Sequence, residues 1–262
     1  MPQYPFTIIR VIEQLMNTTE NSSILGVKIH TIDKAQALDT IEAFIRSRKP
    51  HMVVTLDASA VVLAHREPEL MEIINSADLV TPDSIGILWA AKRFGIDIPE
   101  RVSGVELVEH LCERGAKTGY RPYLLGAAPG IAEAAAETLK ERYPGLQIAG
   151  IQHGFFSEED CPGIVEKIKD AKPDMLFAAM GIPRQEKWIR KYMAEMNVPI
   201  SMGVGGTFDV LSGRVKRAPK WMQRVNLEWL YRLANNPKKI GKCSTLPIFT
   251  LMVLRAGKRN NH

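Results

Sequence analysis

Short, unbroken apolar runs alternate with amphipathic stretches along most of this chain. The runs fall at 52–56, 78–80, 123–125, 147–151, 175–179 and 200–204. Between them, 34–48, 59–75, 105–118, 130–143 and 185–196 carry apolar residues at helical spacing. A strand with one wet face alternates apolar and polar residues, whereas a strand covered on both faces is apolar throughout. The pattern therefore predicts an α/β fold, with helices on both faces of a mostly parallel sheet. Asn17-Thr-Thr-Glu-Asn-Ser-Ser reads as a linker closing an N-terminal extension over 1–23. The predicted core spans 24–213, and 214–262 is set apart from it by charge.

Polar and glycine residues follow the strands. They are Thr55-Leu56-Asp57, Pro82-Asp83-Ser84, Gly126-Ala-Ala-Pro-Gly130, His153-Gly154, Gly181-Ile-Pro-Arg-Gln-Glu186 and Gly203-Val-Gly-Gly-Thr207. In a parallel sheet such loops share one edge, where ligands bind. Asp83, after a proline, is either a helix cap or a chemical group; six polar loops meeting at one edge favour chemistry. The Gly126 turn suits a phosphate on backbone N–H groups, and equally a bare tight turn. It is not G-x-G-x-x-G, and the next strand ends in Gln152-His153 rather than an acid, which disfavours a nicotinamide cofactor. The Gln185 amide could read a base or sugar edge, or belong to a salt-bridged first helical turn with Arg184 and Lys187. Gly205 and Gly206 allow close backbone approach to a ligand, or a pliable strand end.

Composition narrows the chemistry. With 262 residues, 45% of them hydrophobic, the chain can bury one large core. Cys112, Cys161 and Cys243 lie far apart, and the six histidines show no ligand spacing. No D-x-D pair occurs either, so no metal and no cofactor are expected, and arginines and helix N-termini would have to hold any phosphate. Residues 1–17 lack the features of a secretory signal, which points to the cytoplasm.

The net charge of +5 is unevenly spread. From Arg214 onward there are twelve Lys/Arg residues and one acid, against 22 basic and 28 acidic groups before it. The basic segment implies an anionic partner. Its apolar run at 245–254 is too short to span a bilayer, which takes about 20 residues. Flanked by Lys238, Lys239 and Lys242, it reads as an interfacial anchor on an anionic membrane surface, with a core helix bearing a solvated basic flank as the alternative. Trp221, Trp229 and Tyr231 sit at helical spacing suited to packing, so nucleic acid is not the expected partner.

Taken together, the loops resemble the WecG/TagA/CpsF family of inverting glycosyltransferases over about 24–257. The resemblance rests on Thr81-Pro-Asp-Ser-Ile-Gly86, Pro99-Glu-Arg-Val-Ser-Gly104, Gly181-Ile-Pro-Arg-Gln-Glu-Lys-Trp188, Gly203-Val-Gly-Gly-Thr-Phe-Asp209, Arg214-Val-Lys-Arg-Ala-Pro219 and Leu227-Glu-Trp-Leu-Tyr-Arg232. It implies a Rossmann-like core with a basic helical C-terminal appendage. It also implies metal-independent transfer of N-acetylmannosamine or a related sugar from a UDP donor to a polyprenyl-diphosphate-linked N-acetylglucosamine. That chemistry belongs to cell-surface polysaccharide or teichoic-acid-type biosynthesis, at the inner face of the cell membrane. By the same resemblance Asp83 is the general base. It also places Thr55 near the donor, Arg101 at the arginine after Pro-Glu and Gln185 at the active-site glutamine, and has Arg232 reach the diphosphate from the appendage. With the glycine turns read above at Gly126, Gly205 and Gly206, and with Asp57 beside Thr55, these make up the expected donor site. Two positions depart from the family pattern: Asp57 stands where asparagine is common, and Ser84 where glycine is. They motivate two alternatives, a sugar-nucleotide-binding protein without turnover and an enzyme with another donor, such as UDP-glucose or a UDP-uronic acid. Homo-oligomerisation is left open.

Overall fold

A computed structural model of the chain describes residues 21–215 and 245–259. Its first two strands, β1 (Asn21–Ile24) and β2 (Val27–His30), form an antiparallel hairpin. Six further strands make one parallel sheet: β3 (His51–Leu56), β4 (Leu79–Pro82), β5 (Pro122–Gly126), β6 (Gly150–Gln152), β7 (Met175–Ala179) and β8 (Ile200–Gly203). Their spatial order is β4-β3-β8-β7-β5-β6. Every residue of β4, β5, β7 and β8 is buried, which is why these strands read as continuous apolar runs.

The helices are α1 (Lys34–Ser47), α2 (Ala58–Ala64), α3 (Pro68–Ser76), α4 (Ile85–Arg93), α5 (Gly104–Thr118), α6 (Ile131–Arg142), α7 (Cys161–Ala171), α8 (Arg184–Met196), α9 (Thr207–Leu211) and α10 (Thr245–Arg259). One face of the sheet is covered by the hairpin with α2, α3, α4, α7, α8 and α10, and the other by α1, α5, α6 and α9. The chain thus leaves β8 toward one face, while from its neighbours β3 and β7 it leaves toward the other. Loops that part in this way open a crevice at the carboxyl ends of the strands.

The structure departs from the pattern reading in three places. The stretch predicted as one helix, 59–75, is two, because Pro68 cannot continue the preceding turn and instead starts α3. The expected linker at 17–23 gives way to β1 at Asn21. Leu25 (φ 53°) and Gly26 (φ 78°) make the left-handed turn, and Ile24, Val27 and Ile29 are fully buried. The run at 147–151 becomes the short edge strand β6, which begins only at Gly150.

The hairpin covers the open edge of β4. There the Val80 N–H donates to His30 Nδ1 at 3.0 Å, so a side chain satisfies an edge donor that a further strand would otherwise take. Burial, with the Lys28 charge nearby, pushes the His30 imidazole down to about 4. Such a histidine is neutral at pH 7, as an Nδ1 acceptor must be.

The helix α10 lies against α2 and α4. Phe249 and Val253 are buried in the core of that face, while Leu251 and Leu254 remain 48% and 38% exposed. The segment therefore has one face of a core helix and one exposed apolar face.

Candidate active site at the carboxyl edge of the sheet

Parallel strands bring all six loops to one edge, as the pattern requires. At its β3–β4 end stand two aspartates with different duties. Asp57 caps α2: its Oδ1 accepts from the Ala60 N–H at 2.7 Å and from the Ser59 hydroxyl at 2.6 Å. Asp83 does not cap α4. Ser84 does, its Oγ accepting from the Ile87 N–H at 3.3 Å and from the Ala58 N–H at 3.2 Å. The Asp83 backbone N–H is fixed to the Leu56 carbonyl at 2.9 Å, which holds the residue beside the end of β3.

The carboxylate of Asp83 faces the start of α5. A Cβ placed on Gly104 would stand 3.4 Å from Asp83 Oδ2, 3.3 Å from Thr55 Oγ1 and 3.2 Å from Thr55 Cγ2. Gly104 thus lets the two side chains close on the same point. Thr55 donates to the Gly203 carbonyl at 3.2 Å, tying β3 to the end of β8. Arg101 joins from the loop before α5, which is pinned to β4 by Val102 N–H to the Pro82 carbonyl at 2.8 Å. Its guanidinium lies 3.8 Å from Glu106.

The rest of the edge is built from glycines. Gly126 (φ 125°) packs its Cα on the backbone of Ala179, where a Cβ would come within 2.5 Å. The next residue, Ala127, exchanges backbone bonds with Ala179 and Gly154, both at 2.8 Å. The helices α6 and α8 start from this side with no hydrogen bond from an N-cap side chain, unlike α2 and α4. Each presents a positive dipole end to this edge, with the Ile131 and Gln185 N–H groups already bonded to the Ala128 and Gly181 carbonyls at 3.1 and 3.0 Å.

Gln185 is 4% exposed and already engaged. Its Oε1 accepts from the N–H groups of Gly181 (3.0 Å) and Gly205 (3.1 Å), and its Nε2 donates to Glu186 at 2.7 Å. It clips the loops after β7 and β8 together rather than presenting an open amide to a ligand. Gly205 is held by that clip, and Gly206 occupies the N-cap position of α9. Gly104 and Glu186 also belong to this edge, although in the sequence they carry no sign of a role beyond the motifs that contain them. Arg232, Lys238, Lys239 and Lys242 lie outside the described residues. Among the described residues, no three His, Cys, Asp or Glu side chains form a group able to hold a metal.

The edge thus brings an acid and a threonine together beside Gly104, with glycine loops completing it. The sequence pattern of the glycosyl transferase WecG/TagA/CpsF family matches residues 22–262. The chain belongs to this family. It is similar to the N-acetylglucosaminyldiphosphoundecaprenol N-acetyl-beta-D-mannosaminyltransferase of Staphylococcus aureus strain MW2, with 32% identity over 250 residues, 95% of this chain and 97% of the relative. The protein of that name from strain MRSA252 is 31% identical over the same length. The chain is thus a glycosyltransferase of the WecG/TagA/CpsF family, with the α/β architecture that its apolar runs predicted.

Proposed function

We propose that this glycosyltransferase moves N-acetylmannosamine or a related sugar from UDP to a polyprenyl-diphosphate-linked N-acetylglucosamine, with inversion and without a metal ion. The names of the relatives support the acceptor and the mannosamine. The observation that carries the mechanism is the division of labour at β3 and β4. Asp57 and Ser84 cap the helices, while the Asp83 carboxylate points with Thr55 toward the space beside Gly104.

In this reading the acceptor hydroxyl attacks the anomeric carbon from the face opposite the diphosphate. Its proton passes to Asp83 as the new bond forms and the bond to the diphosphate breaks. Such base catalysis contributes roughly 10²–10⁴-fold. The departing UDP is stabilised by Arg101, by N–H groups at the uncapped helix starts around Gly126 and Gly181, and by Arg232 from the appendage. Gly205 and Gly206 shape the donor pocket, and Gln185 acts on it through the loops it clips. With one carboxylate base and no covalent intermediate, a single displacement inverts the anomeric centre, as in inverting glycosidases.

The segment 214–262 is the membrane-associating appendage, acting at the inner face of the cell membrane. The exposed Leu251 and Leu254, flanked by the basic residues of the segment, support an interfacial seat for α10. No helix among the described residues is long and apolar enough to cross a membrane.

The test is transfer by the full chain from a panel of UDP-sugars to a synthetic lipid-diphosphate N-acetylglucosamine, with the product linkage read by NMR. A β-linked product from an α-linked UDP-N-acetylmannosamine is expected. Donor binding with no transfer to any acceptor would overturn the reading in favour of a sugar-nucleotide-binding protein. A preference for UDP-glucose or a UDP-uronic acid would instead move the assignment of the donor.

A further inference from the structure

Glu186 is 2% exposed, in the first turn of α8. A carboxylate there gains from the helix dipole, but it would gain as much while facing water. Burying it adds a desolvation cost that only close partners offset. One of those partners is the Gln185 amide, whose Nε2 donates to Glu186 Oε1 at 2.7 Å.

The two ends of an amide differ little in shape, so hydrogen bonding decides which way it points. Here Oε1 accepts from the Gly181 and Gly205 N–H groups. If the amide turned over, its NH2 would meet two N–H donors and its oxygen would meet a carboxylate. All three bonds would fail together in a dry site. We propose that Glu186 is a positioning residue of the active site: it sets the orientation of the Gln185 amide, and through it the conformation of the glycine loops after β7 and β8.

The backbone around the pair fits this role. Gly181 (φ 78°) and Gly205 (φ 53°) both sit in the left-handed region, which glycine enters without strain and leaves as freely, so a hydrogen bond to each N–H is what fixes the loop. At the end of β8, Gly203 gives up its side chain to the pair. A Cβ there would lie 2.5 Å from Gln185 Nε2 and 2.7 Å from Glu186 Oε1. The Gly203 carbonyl also accepts from the Thr55 hydroxyl, so the pair backs the end of β8 to which Thr55 of β3 is tied. The inference rests on the glycosyl-transfer reading of this edge only for its effect on turnover; the clip itself can be tested without it.

The experiment uses the full chain. Glu186→Gln keeps the shape but replaces a group that can only accept by one that can also donate, so of the three bonds that fix the Gln185 amide the one to residue 186 no longer opposes its turning. Its kcat/KM should fall about tenfold to a hundredfold, the range for a small displacement of reacting groups. Hydrogen exchange at the Gly181 and Gly205 amides should quicken while the sheet keeps its protection. The reciprocal double variant, Gln185→Glu with Glu186→Gln, puts a carboxylate where it can accept from both glycines and an amide where it can donate to that carboxylate. It should recover most of the lost kcat/KM, whereas Gln185→Glu alone should not. Parent-like kcat/KM in Glu186→Gln would overturn the proposal. So would a folded double variant as impaired as Glu186→Gln, or lost transfer with unchanged exchange at both glycines. Should Glu186→Gln fail to fold, or the parent transfer no sugar, exchange in the parent decides: Gly181 and Gly205 amides as fast as unbonded loop amides would refute the clip.

Discussion

Asp83 and Ser84 are adjacent, yet the structure gives them separable tasks, and exchanging each for a near neighbour should separate activity from stability. In Asp83→Asn the backbone bond to Leu56 persists and Ser84 still caps α4. Asparagine, however, cannot take a proton from an attacking hydroxyl. The loss of general-base catalysis raises the barrier by about 3–5 kcal/mol, or roughly 10²–10⁴ in kcat. Ser84→Ala does the reverse. It removes the acceptor for Ile87 N–H and for Ala58 N–H, so α4 loses its cap and α2 a first-turn partner. A lost cap costs about 1 kcal/mol and a second hydrogen bond about as much again. For a chain of this length that is a fall of roughly 4–8 °C in Tm. The measurements are thermal unfolding followed by circular dichroism, UDP binding by calorimetry, and transfer at saturating donor. Asp83→Asn should bind UDP and melt close to the parent while nearly inactive; Ser84→Ala should melt early while keeping most of its turnover. If Asp83→Asn turned over near the parental rate, the base would not be Asp83, and Asp57 would be the next carboxylate to test. Equal losses of stability in the two variants would make Asp83 a structural residue.

Three other outcomes follow from the same reasoning. Transfer should persist in EDTA, since the sequence holds no D-x-D pair; activity lost on chelation and restored by magnesium or manganese would contradict it. Changing Lys238, Lys239 and Lys242 to Glu should weaken flotation with anionic vesicles, each lysine near such a surface being worth about 1 kcal/mol, whereas Arg232→Ala should lower turnover on a soluble acceptor and leave flotation intact. Stability should fall as pH drops from about 6.5 toward about 4, because the unfolded chain protonates His30 in that window while the folded hairpin keeps it neutral. The lost contribution is about 3 kcal/mol at most, and urea unfolding of the parent and His30→Gln at pH 7 and pH 4.5 would show a smaller pH effect in the variant.

The parallel sheet was legible because burial on both faces leaves few polar residues inside a strand, small ones such as Thr81 and Ser201, so β5, β7 and β8 announce themselves as apolar runs. Once the strands are parallel, the convergence of their loops follows from geometry alone. The hairpin was not legible. Asn21-Ser-Ser carries the polar residues of a linker, and Leu25 adopts a left-handed conformation that leucine does not advertise. The two aspartates were equally opaque: each follows a strand and precedes a helix, and only the positions of Ser84 and Ala60 decide which one caps. Gln185 and Glu186 look like an ordinary polar helix start. Their burial depends on Gly203, eighteen residues later, lacking a side chain.

The contact of α10 with Gly86 changes what a shortened protein would mean. A Cβ on Gly86 would lie 3.2 Å from Ala58 Cβ and 3.6 Å from the Phe249 ring. The tail helix therefore leans on the place where the first turns of α2 and α4 meet, the turns that open after the caps Asp57 and Ser84, the latter next to Asp83. Cutting the chain before Thr245 to test the proposed membrane anchor would also strip Phe249 and Val253 from that wall. Vacating the volume of a buried phenylalanine alone costs about 3–5 kcal/mol. A sluggish truncated enzyme would then be a damaged one, its aspartate loop unsupported, and its slowness would say nothing about membranes. Point changes on the outer stripe, at Leu251 and Leu254, leave the inner wall standing and are the cleaner way to ask what the tail does.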